Sequence, residues 1–304
     1  MNLRATSFLT HLQNCRRRVT TGAICIRPIS SVSFMKRKES ELVELPQSKR
    51  PKRKMETQRI QLTPRESQLR DLLLDAARYI DESKEIKTKI ELRWAGGWVR
   101  DKILGLQSHD IDVAINAMTG HKFCEKMQDY LKDEKNMKKH FLTSKDMGSL
   151  HKIAANPDKS KHLETANTRL YDFDLDFVNL RKETYSEDSR NPQMEFGTAE
   201  EDAMRRDATI NALFYNLHTD MVEDFTGGLE DLKVKIIRTP LESYTTFKDD
   251  PLRVLRLIRF ASRLGFTIDK ESEASMSNPS VMEALKVKIS RERVGVELQK
   301  MLKG

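Results

Sequence analysis

The sequence predicts an α+β unit followed by an all-helical unit. Three observations predict it. Apolar residues alternate with period two around Ile90–Trp94, Asp110–Ile115 and Tyr171–Leu180. Two capping boxes, Thr63-Pro64-Arg65-Glu66 and Thr198-Ala199-Glu200-Glu201, open helical runs among those segments. From Asp249 onward the pattern is helical, interrupted at Gly265 and Pro279.

The elements follow in order. The first capping box, with Pro64 at the first helical position, starts a helix with apolar face Leu69, Leu72, Leu73, Ala76 and Ile80. Ile90, Leu92 and Trp94 alternate as a strand that Gly96-Gly97 breaks, and Trp98 to Leu104 reads as a short helix. Asp110 to Ile115 is a second strand, with Ile111, Val113 and Ile115 on one face, and a helix around 120–132 follows. Residues 134–167 are polar and Lys-rich and show no period. Tyr171 to Leu180 is a third strand. The second capping box opens helical sequence running to about Tyr215. Gly227-Gly228 marks a turn, and Val234 to Ile237 a short strand.

The 304 residues suffice for one sizeable core or two modest domains, and no run of 18 apolar residues is present to make a membrane-spanning helix. Cys15, Cys25 and Cys124 build neither a disulfide framework nor a metal knuckle, which fits a reducing compartment. The net charge of +8 is concentrated at one end. Residues 1–56 hold 13 Lys/Arg against 4 Asp/Glu; residues 57–304 hold 41 against 42. The first part is expected to be a disordered leader. It has no acidic residue before Glu39 and carries Arg4, Arg16, Arg17, Arg18 and Arg27 among hydroxyl residues, the composition of a mitochondrial transit peptide. Ser48 to Lys54 is a basic cluster of nuclear-localisation type. Met35 and Met55 are possible later start sites, so mitochondrial and cytoplasmic or nuclear forms are expected from one gene.

His109-Asp110-Ile111-Asp112 is the sharpest local feature. On a strand, Asp110 and Asp112 share one face. Two carboxylates so close repel unless a cation lies between them, and hard oxygen ligands suit Mg²⁺. The plain alternative is a polar strand end. Asp172, Asp174 and Asp176 alternate with Phe173, Leu175 and Phe177, which offers a third carboxylate if the strands are neighbours; the alternative is a solvated sheet face. Three acids around two metals suit phosphoryl transfer, one ion activating a hydroxyl and the other holding the leaving group. Gly96-Gly97-Trp98-Val99-Arg100-Asp101 joins strand to helix, where glycine lets backbone approach a phosphate and Arg100 could pair with its oxygens. A tight turn with Arg100 and Asp101 paired is the simpler reading of those residues alone.

Together, G-G-x-V-R-D at Gly96–Asp101, D-x-D at Asp110 and Asp112, and the later run Arg205-Arg206-Asp207-Ala208-Thr209-Ile210-Asn211-Ala212 resemble the class II CCA-adding enzymes, the fungal ones in particular. These are tRNA nucleotidyltransferases of the polymerase-β-like superfamily, related to bacterial poly(A) polymerases. The resemblance covers nearly all of residues 65–304. It implies a polymerase-β-like head over 57–231, a mixed sheet with helices, and a helical neck over 232–304. It assigns Asp110, Asp112 and Asp176 to a two-metal Mg²⁺ site. Gly96, Gly97, Arg100, Arg206, Asp207 and Asn211 are implied to contact the nucleotide, with Asp207 and Asn211 on one helix face. Asp224 to Gly228, with Asp231 and Leu232, resembles the hinge between head and neck. In Asp249-Asp250-Pro251-Leu252-Arg253, the family's amino-acid template maps to Asp250 and Arg253, which would read the base edges of CTP or ATP; Asp accepts from an exocyclic amine and Arg donates to ring acceptors. Arg256 and Arg259 are implied to face the triphosphate. The family more often has Glu where this chain has Asp249. Ser290 to Glu297 resembles the last neck motif, which supports the base-reading helix.

The implied activity is template-independent addition of C, C and A to tRNA 3′ ends from CTP and ATP, with release of pyrophosphate. The implied partners are tRNA and those nucleotides, with no membrane and no protein partner. Three alternatives share part of the pattern: a poly(A) polymerase, an enzyme adding only CC, and a non-catalytic RNA-binding protein, the last disfavoured by the three carboxylates. The family usually continues with helical body and tail regions that grip tRNA. Gly304 falls just after the last neck motif, so nucleotide binding is a firmer expectation than efficient tRNA addition.

Overall fold

The computed structural model describes residues 56–143, 151–153, 165–184 and 193–303. The transit-like segment, the basic cluster, Met35 and Met55 lie outside the described residues, as does much of the 134–167 stretch.

Strand β1 (Glu56–Gln58) leads into helix α1 (Pro64–Glu82). Both halves of the expected capping box form: Glu66 N–H donates to Thr63 Oγ1 at 3.3 Å, and Thr63 N–H donates to the Glu66 carboxylate at 2.6 Å. Leu69, Leu72, Leu73, Ala76 and Ile80 are all buried beneath it. Next come β2 (Leu92–Ala95), α2 (Gly97–Ile103), β3 (Asp110–Ile115), α3 (Gly120–Leu131) and α4 (Glu134–Lys139). Strands β4 (His151–Ile153), β5 (Thr165–Leu170) and β6 (Phe173–Asn179) follow, then the ribbon β7 (Arg181–Thr184) and β8 (Gln193–Phe196). Helix α5 (Ala199–Met204) precedes a 3₁₀ turn at Thr209–Asn211, β9 (Phe214–Asn216) and β10 (Met221–Asp224). The helical half holds α6 (Gly228–Val234), α7 (Ser243–Asp249), α8 (Leu252–Leu264), α9 (Lys270–Met276), α10 (Pro279–Lys288) and α11 (Arg291–Lys303), with β11 (Ile236–Ile237) pairing β12 (Thr267–Ile268).

Among the described residues, eight strands form one mixed sheet in the order β1-β10-β9-β2-β3-β6-β5-β4. β3 and β6 run parallel, with Asp110 opposite Asp174 and Asp112 opposite Asp176. The sheet has two unlike faces. Ile111, Val113 and Ile115 join the large core under α1 and α3. On the other face Ala95, Ala114, Ala199, Ala203, Ala212 and Phe214 form a small cluster under α5. Alternation puts Asp110, Asp112 and Asp176 on this second face. Its alanines let α5 lie close to the strands that bear the carboxylates.

Several expectations need correction, among them the strand expected over Val234–Ile237, of which only Ile236–Ile237 is strand because Val234 ends α6 and Lys235 is its left-handed cap. The helix from Thr198 ends at Met204; Ala208 is extended, and Phe214–Asn216 is a strand between β10 and β2. A central strand covered on both faces lacks alternation, so a continuous apolar run there reads equally as helix. For the same reason β2 buries all four residues, its Arg93 being neutralised by Glu223 at 2.7 Å and Glu91 at 2.9 Å. Tyr171 and Asp172 are not strand residues. Both have positive φ, +50° and +69°, and form the two-residue turn between β5 and β6. Helix α7 was not expected from the sequence; its cap is the Glu242 side chain, an uncommon capping residue that accepts from Tyr244 and Thr245 N–H.

Candidate active site

The site starts from the β2–α2 turn. Gly96 has φ +68°, and a Cβ there would lie 2.8 Å from Arg206 Nη1 and 3.8 Å from Asp112 Oδ2. The positive φ is what calls for glycine here, and any side chain would in addition push the Arg206 guanidinium aside. Below the turn Trp94 and Trp98, the two tryptophans of the chain, pack edge to face at 4.6 Å with Tyr215 beside them. They make the turn rigid from the core side.

Asp110 and Asp112 are exposed on β3, and Asp176, opposite Asp112 on β6, is exposed beside them. Asp112 keeps accessible surface, yet protein surrounds it on most sides. That desolvation pushes its carboxyl up; Asp202 and Asp110 add repulsion, while Arg206 and Arg181 oppose it. As placed, no three His, Cys, Asp or Glu side chains among the described residues converge tightly enough to hold an ion. The donor set nevertheless fits one: three hard-oxygen ligands share a face, and a cation there would offset both the desolvation of Asp112 and the smaller repulsion from Asp110.

Arg206 stands over this group. Its Nη2 lies 2.9 Å from Asp202 Oδ2, its Nη1 donates to Asn211 O at 3.1 Å, and its guanidinium covers the Phe214 ring at 5.0 Å. Asp202 is 1% exposed. Burial opposes its ionisation, but Arg206 and Arg205 outweigh that and hold its carboxyl below the usual carboxylate range. Asp202 is a site residue the sequence reading missed. The signal was present, because an Asp three and four residues before two arginines pairs with both on a helix.

Asp207 and Asn211 do meet, although no helix joins them: Asn211 Nδ2 donates to Asp207 Oδ1 at 3.1 Å across the 3₁₀ turn. Arg100 is buried rather than lying at the surface. It donates to Asn211 Oδ1 at 2.6 Å and to Asp101 at 2.8 Å, so the simple pairing with Asp101 is half of its environment.

The arginines of α8 divide into two environments. Arg253 lines a cleft of ≈310 Å³ between α5, β7 and α7, with Lys182, Arg205, Thr245 and Asp249 also on its wall. Asp250, one residue before Pro251, accepts from Leu252 N–H at 3.2 Å and lies 3.6 Å from Arg293. Arg256 Nε donates to Asp207 Oδ2 at 2.6 Å, and Arg259 Nε donates to Glu297 at 2.7 Å. At Gly97 a Cβ would lie 3.7 Å from Arg100 Nη2, ordinary van der Waals contact. The arrangement joins a carboxylate face, a guanidinium over it and a cleft with Arg205 and Arg253 in its wall, groups of the kind that hold a triphosphate and a base.

Known proteins resemble this chain over most of the described residues. The family described as the poly A polymerase head domain matches residues 92–238. The nucleotidyltransferase lcsQ of Purpureocillium lilacinum is 64% identical over 245 residues, which is 81% of this chain and 41% of that protein. The mitochondrial CCA tRNA nucleotidyltransferase of Saccharomyces cerevisiae is 53% identical over 251 residues, 81% of this chain and 44% of that one. A solved complex of a CCA-adding enzyme with CTP is 29% identical, with TM-score 0.57, over 80% of this chain and 48% of that chain. The chain spans less than half the length of each of these three proteins.

Proposed function

The chain belongs to the tRNA nucleotidyltransferase family that carries the poly A polymerase head domain, and from that premise we propose that it adds C, C and A to tRNA 3′ ends from CTP and ATP, without a nucleic-acid template. The observation that carries the reading is the register of β3 and β6, which sets Asp112 against Asp176 with Asp110 beside them, under Arg206 and Gly96. Nucleotidyltransferases of this superfamily generally use a divalent metal; here the ions would be Mg²⁺, held by Asp110, Asp112 and Asp176. When bound, the metal supplies charge stabilisation for the phosphoryl oxygens and a lower pKa for an attacking hydroxyl.

The chain's own residues do the rest. Gly96 and Gly97 leave room for the triphosphate to approach the backbone. Arg206, fixed by Asp202, faces it with a preorganised positive charge. The 3′-hydroxyl of tRNA attacks the α-phosphate, and the α–β bond breaks to release pyrophosphate. The base enters the cleft at the start of α8, where Arg253 in the wall offers a donor to its edge; Asp250, beside Pro251 at the helix start and not itself a wall residue, offers the acceptor. C and A present the matching amine and ring acceptor. Positioning and charge stabilisation account for the chemistry, with no covalent enzyme intermediate.

The acid-poor leader and the word mitochondrial in the yeast relative's name support import into mitochondria. Starts at Met35 or Met55 would supply cytoplasmic and nuclear forms; fluorescent fusions with each Met replaced test this.

The decisive experiment incubates the full chain with Mg²⁺, each NTP and tRNA lacking CCA, with Asp110→Ala in parallel. Addition of CC and then A by the wild type alone is the expected result. Stopping after CC makes it a CC-adding enzyme, and runs of A on any RNA make it a poly(A) polymerase. A chain that neither adds nucleotides nor binds CTP and ATP selectively overturns the reading.

A further inference from the structure

We infer that Glu66 and Lys102 form a positioning pair that fixes the Gly96-Gly97 turn from behind, so that the start of α1 sets how the turn meets a triphosphate. The inference rests on the proposed nucleotidyltransferase reading and gives a role to two residues that this reading does not use.

Glu66 does more than its capping box requires. The box needs an acceptor for the Thr63 N–H, and a neutral glutamine supplies one as a glutamate does. Here one oxygen, Oε2, accepts from Thr63 N–H and from Lys102 Nζ, each at 2.6 Å. Glu66 is buried, and the Lys102 side chain is 18% exposed. Charge on a shielded carboxylate is costly unless it is paired, and Lys102 is the cation that pairs it. The cap is local to α1; the ion pair reaches across to α2.

Lys102 stands near the end of α2, a helix of seven residues. So short a helix has little stability of its own, and its tilt follows its anchors. Trp98 and Lys102, at i and i+4, share one face, and Arg100 lies on the opposite one. On the site side, Arg100 donates to Asn211 Oδ1 at 2.6 Å. On the rear side, Trp98 packs edge to face with Trp94 at 4.6 Å, and the Lys102 ammonium lies 5.9 Å from the Trp98 ring and ends on Glu66. Arg100 N–H donates to Gly96 O at 3.1 Å, so a tilt of α2 is passed to Gly96 directly. Gly96 has little slack, because its Cβ position lies 2.8 Å from Arg206 Nη1 and 3.8 Å from Asp112 Oδ2. Displacement of about 1 Å in such a site is enough to cost about 100-fold in rate.

A pair that only stabilises the fold and a pair that aims the turn differ in what they do to ligands. Lost stability alone leaves the affinity of the folded molecule unchanged. A misplaced turn weakens ligands that carry a triphosphate and spares a monophosphate. The test measures dissociation constants of CTP, ATP, UTP, GTP and CMP by calorimetry in Mg²⁺, together with urea midpoints, for the full chain, Glu66→Gln, Lys102→Met and the double variant. Glu66→Gln keeps an acceptor for the cap and removes the charge. Lys102→Met keeps an apolar stem beside Trp98 and removes the ammonium. Thr63→Ala is the control: it breaks the other bond of the cap, Glu66 N–H to Thr63 Oγ1 at 3.3 Å, and leaves the ion pair in place. The expected result is affinity for all four triphosphates lowered about tenfold in each single variant, CMP unchanged, and the double variant no worse than the worse single one. Thr63→Ala is expected to lower the urea midpoint and to bind CTP as the wild type does. Where Lys102→Met fails to fold, Glu66→Gln carries the same comparison. Unchanged triphosphate affinity, equal losses for CTP and CMP, or additive losses in the double variant overturn the positioning pair and leave the nucleotidyltransferase reading intact. A wild type that binds no nucleotide overturns both.

Discussion

A methyl group at position 96 would lie 2.8 Å from the Arg206 guanidinium, on backbone whose φ of +68° already disfavours a side chain. Gly96→Ala is expected to cost about 1–3 kcal/mol in urea unfolding and about 100-fold or more in nucleotide addition, because Arg206 must move. Asp110→Ala should leave the unfolding midpoint within about 0.5 kcal/mol of wild type, as Asp110 is exposed, while abolishing addition. Arg253→Ala is expected to relax the preference for C and A over U and G more than it weakens triphosphate binding; unchanged discrimination in nucleotide competition would remove Arg253 from the role of base reader. Asp207 gives a pH signature. Burial works against its charge, but Arg256, Asn211 and Arg253 hold its carboxyl down to about 2, from 3.8. Its folded pKa is depressed, so its contribution of about 2 kcal/mol is full above pH 4 and disappears as pH falls toward 2. Stability curves of wild type and Asp207→Asn, measured from pH 5 to pH 2, should therefore converge toward acid.

At the scale of elements, Thr198 tests how far a cap can reach. It accepts from Glu201 N–H and opens α5, the helix that carries Asp202. Thr198→Ala should cost about 1 kcal/mol and raise amide exchange in residues 199–204, loosening the anchor of Arg206. What was legible in the sequence was local or strictly periodic. The capping boxes at Thr63 and Thr198 formed, and Asp110–Ile115 is a strand with the bounds its alternation gave. The carboxylate face was legible in the same way, since period two fixes the side on which Asp110 and Asp112 stand. What was not legible depends on partners distant in the chain. Nothing in Ala212 to Tyr215 says that β10 and β2 flank it, so the run read as helix. Nothing in the every-third spacing of Arg253, Arg256 and Arg259 says that buried acids at 207 and 297 claim two of them.

Over the whole molecule, charge has the same logic. Residues 57–304 are close to neutral, so general attraction to RNA is absent and any grip on phosphate comes from local groups such as Lys182 and Arg205 at the cleft. Binding of tRNA by residues 57–304 alone is therefore expected to be weakly salt-dependent for a nucleic-acid enzyme, with a log–log slope of about −4 or shallower in filter binding from 50 to 200 mM salt, and any steeper slope of the full chain is expected to come from its basic first 56 residues. A steeper slope for 57–304 alone would show a basic track that its sequence hides.

The tryptophan pair under the glycine turn makes the molecule its own optical reporter. Trp94 and Trp98 are buried on either side of Gly96-Gly97, and the chain holds no other indole. Intrinsic fluorescence excited at the indole band thus comes from one place, the floor beneath the proposed triphosphate pocket, with Tyr215 beside both rings. Occupation of that pocket and loss of the fold can each be followed by emission alone, on unlabelled protein, and titrations with each nucleotide become a matter of mixing and reading light.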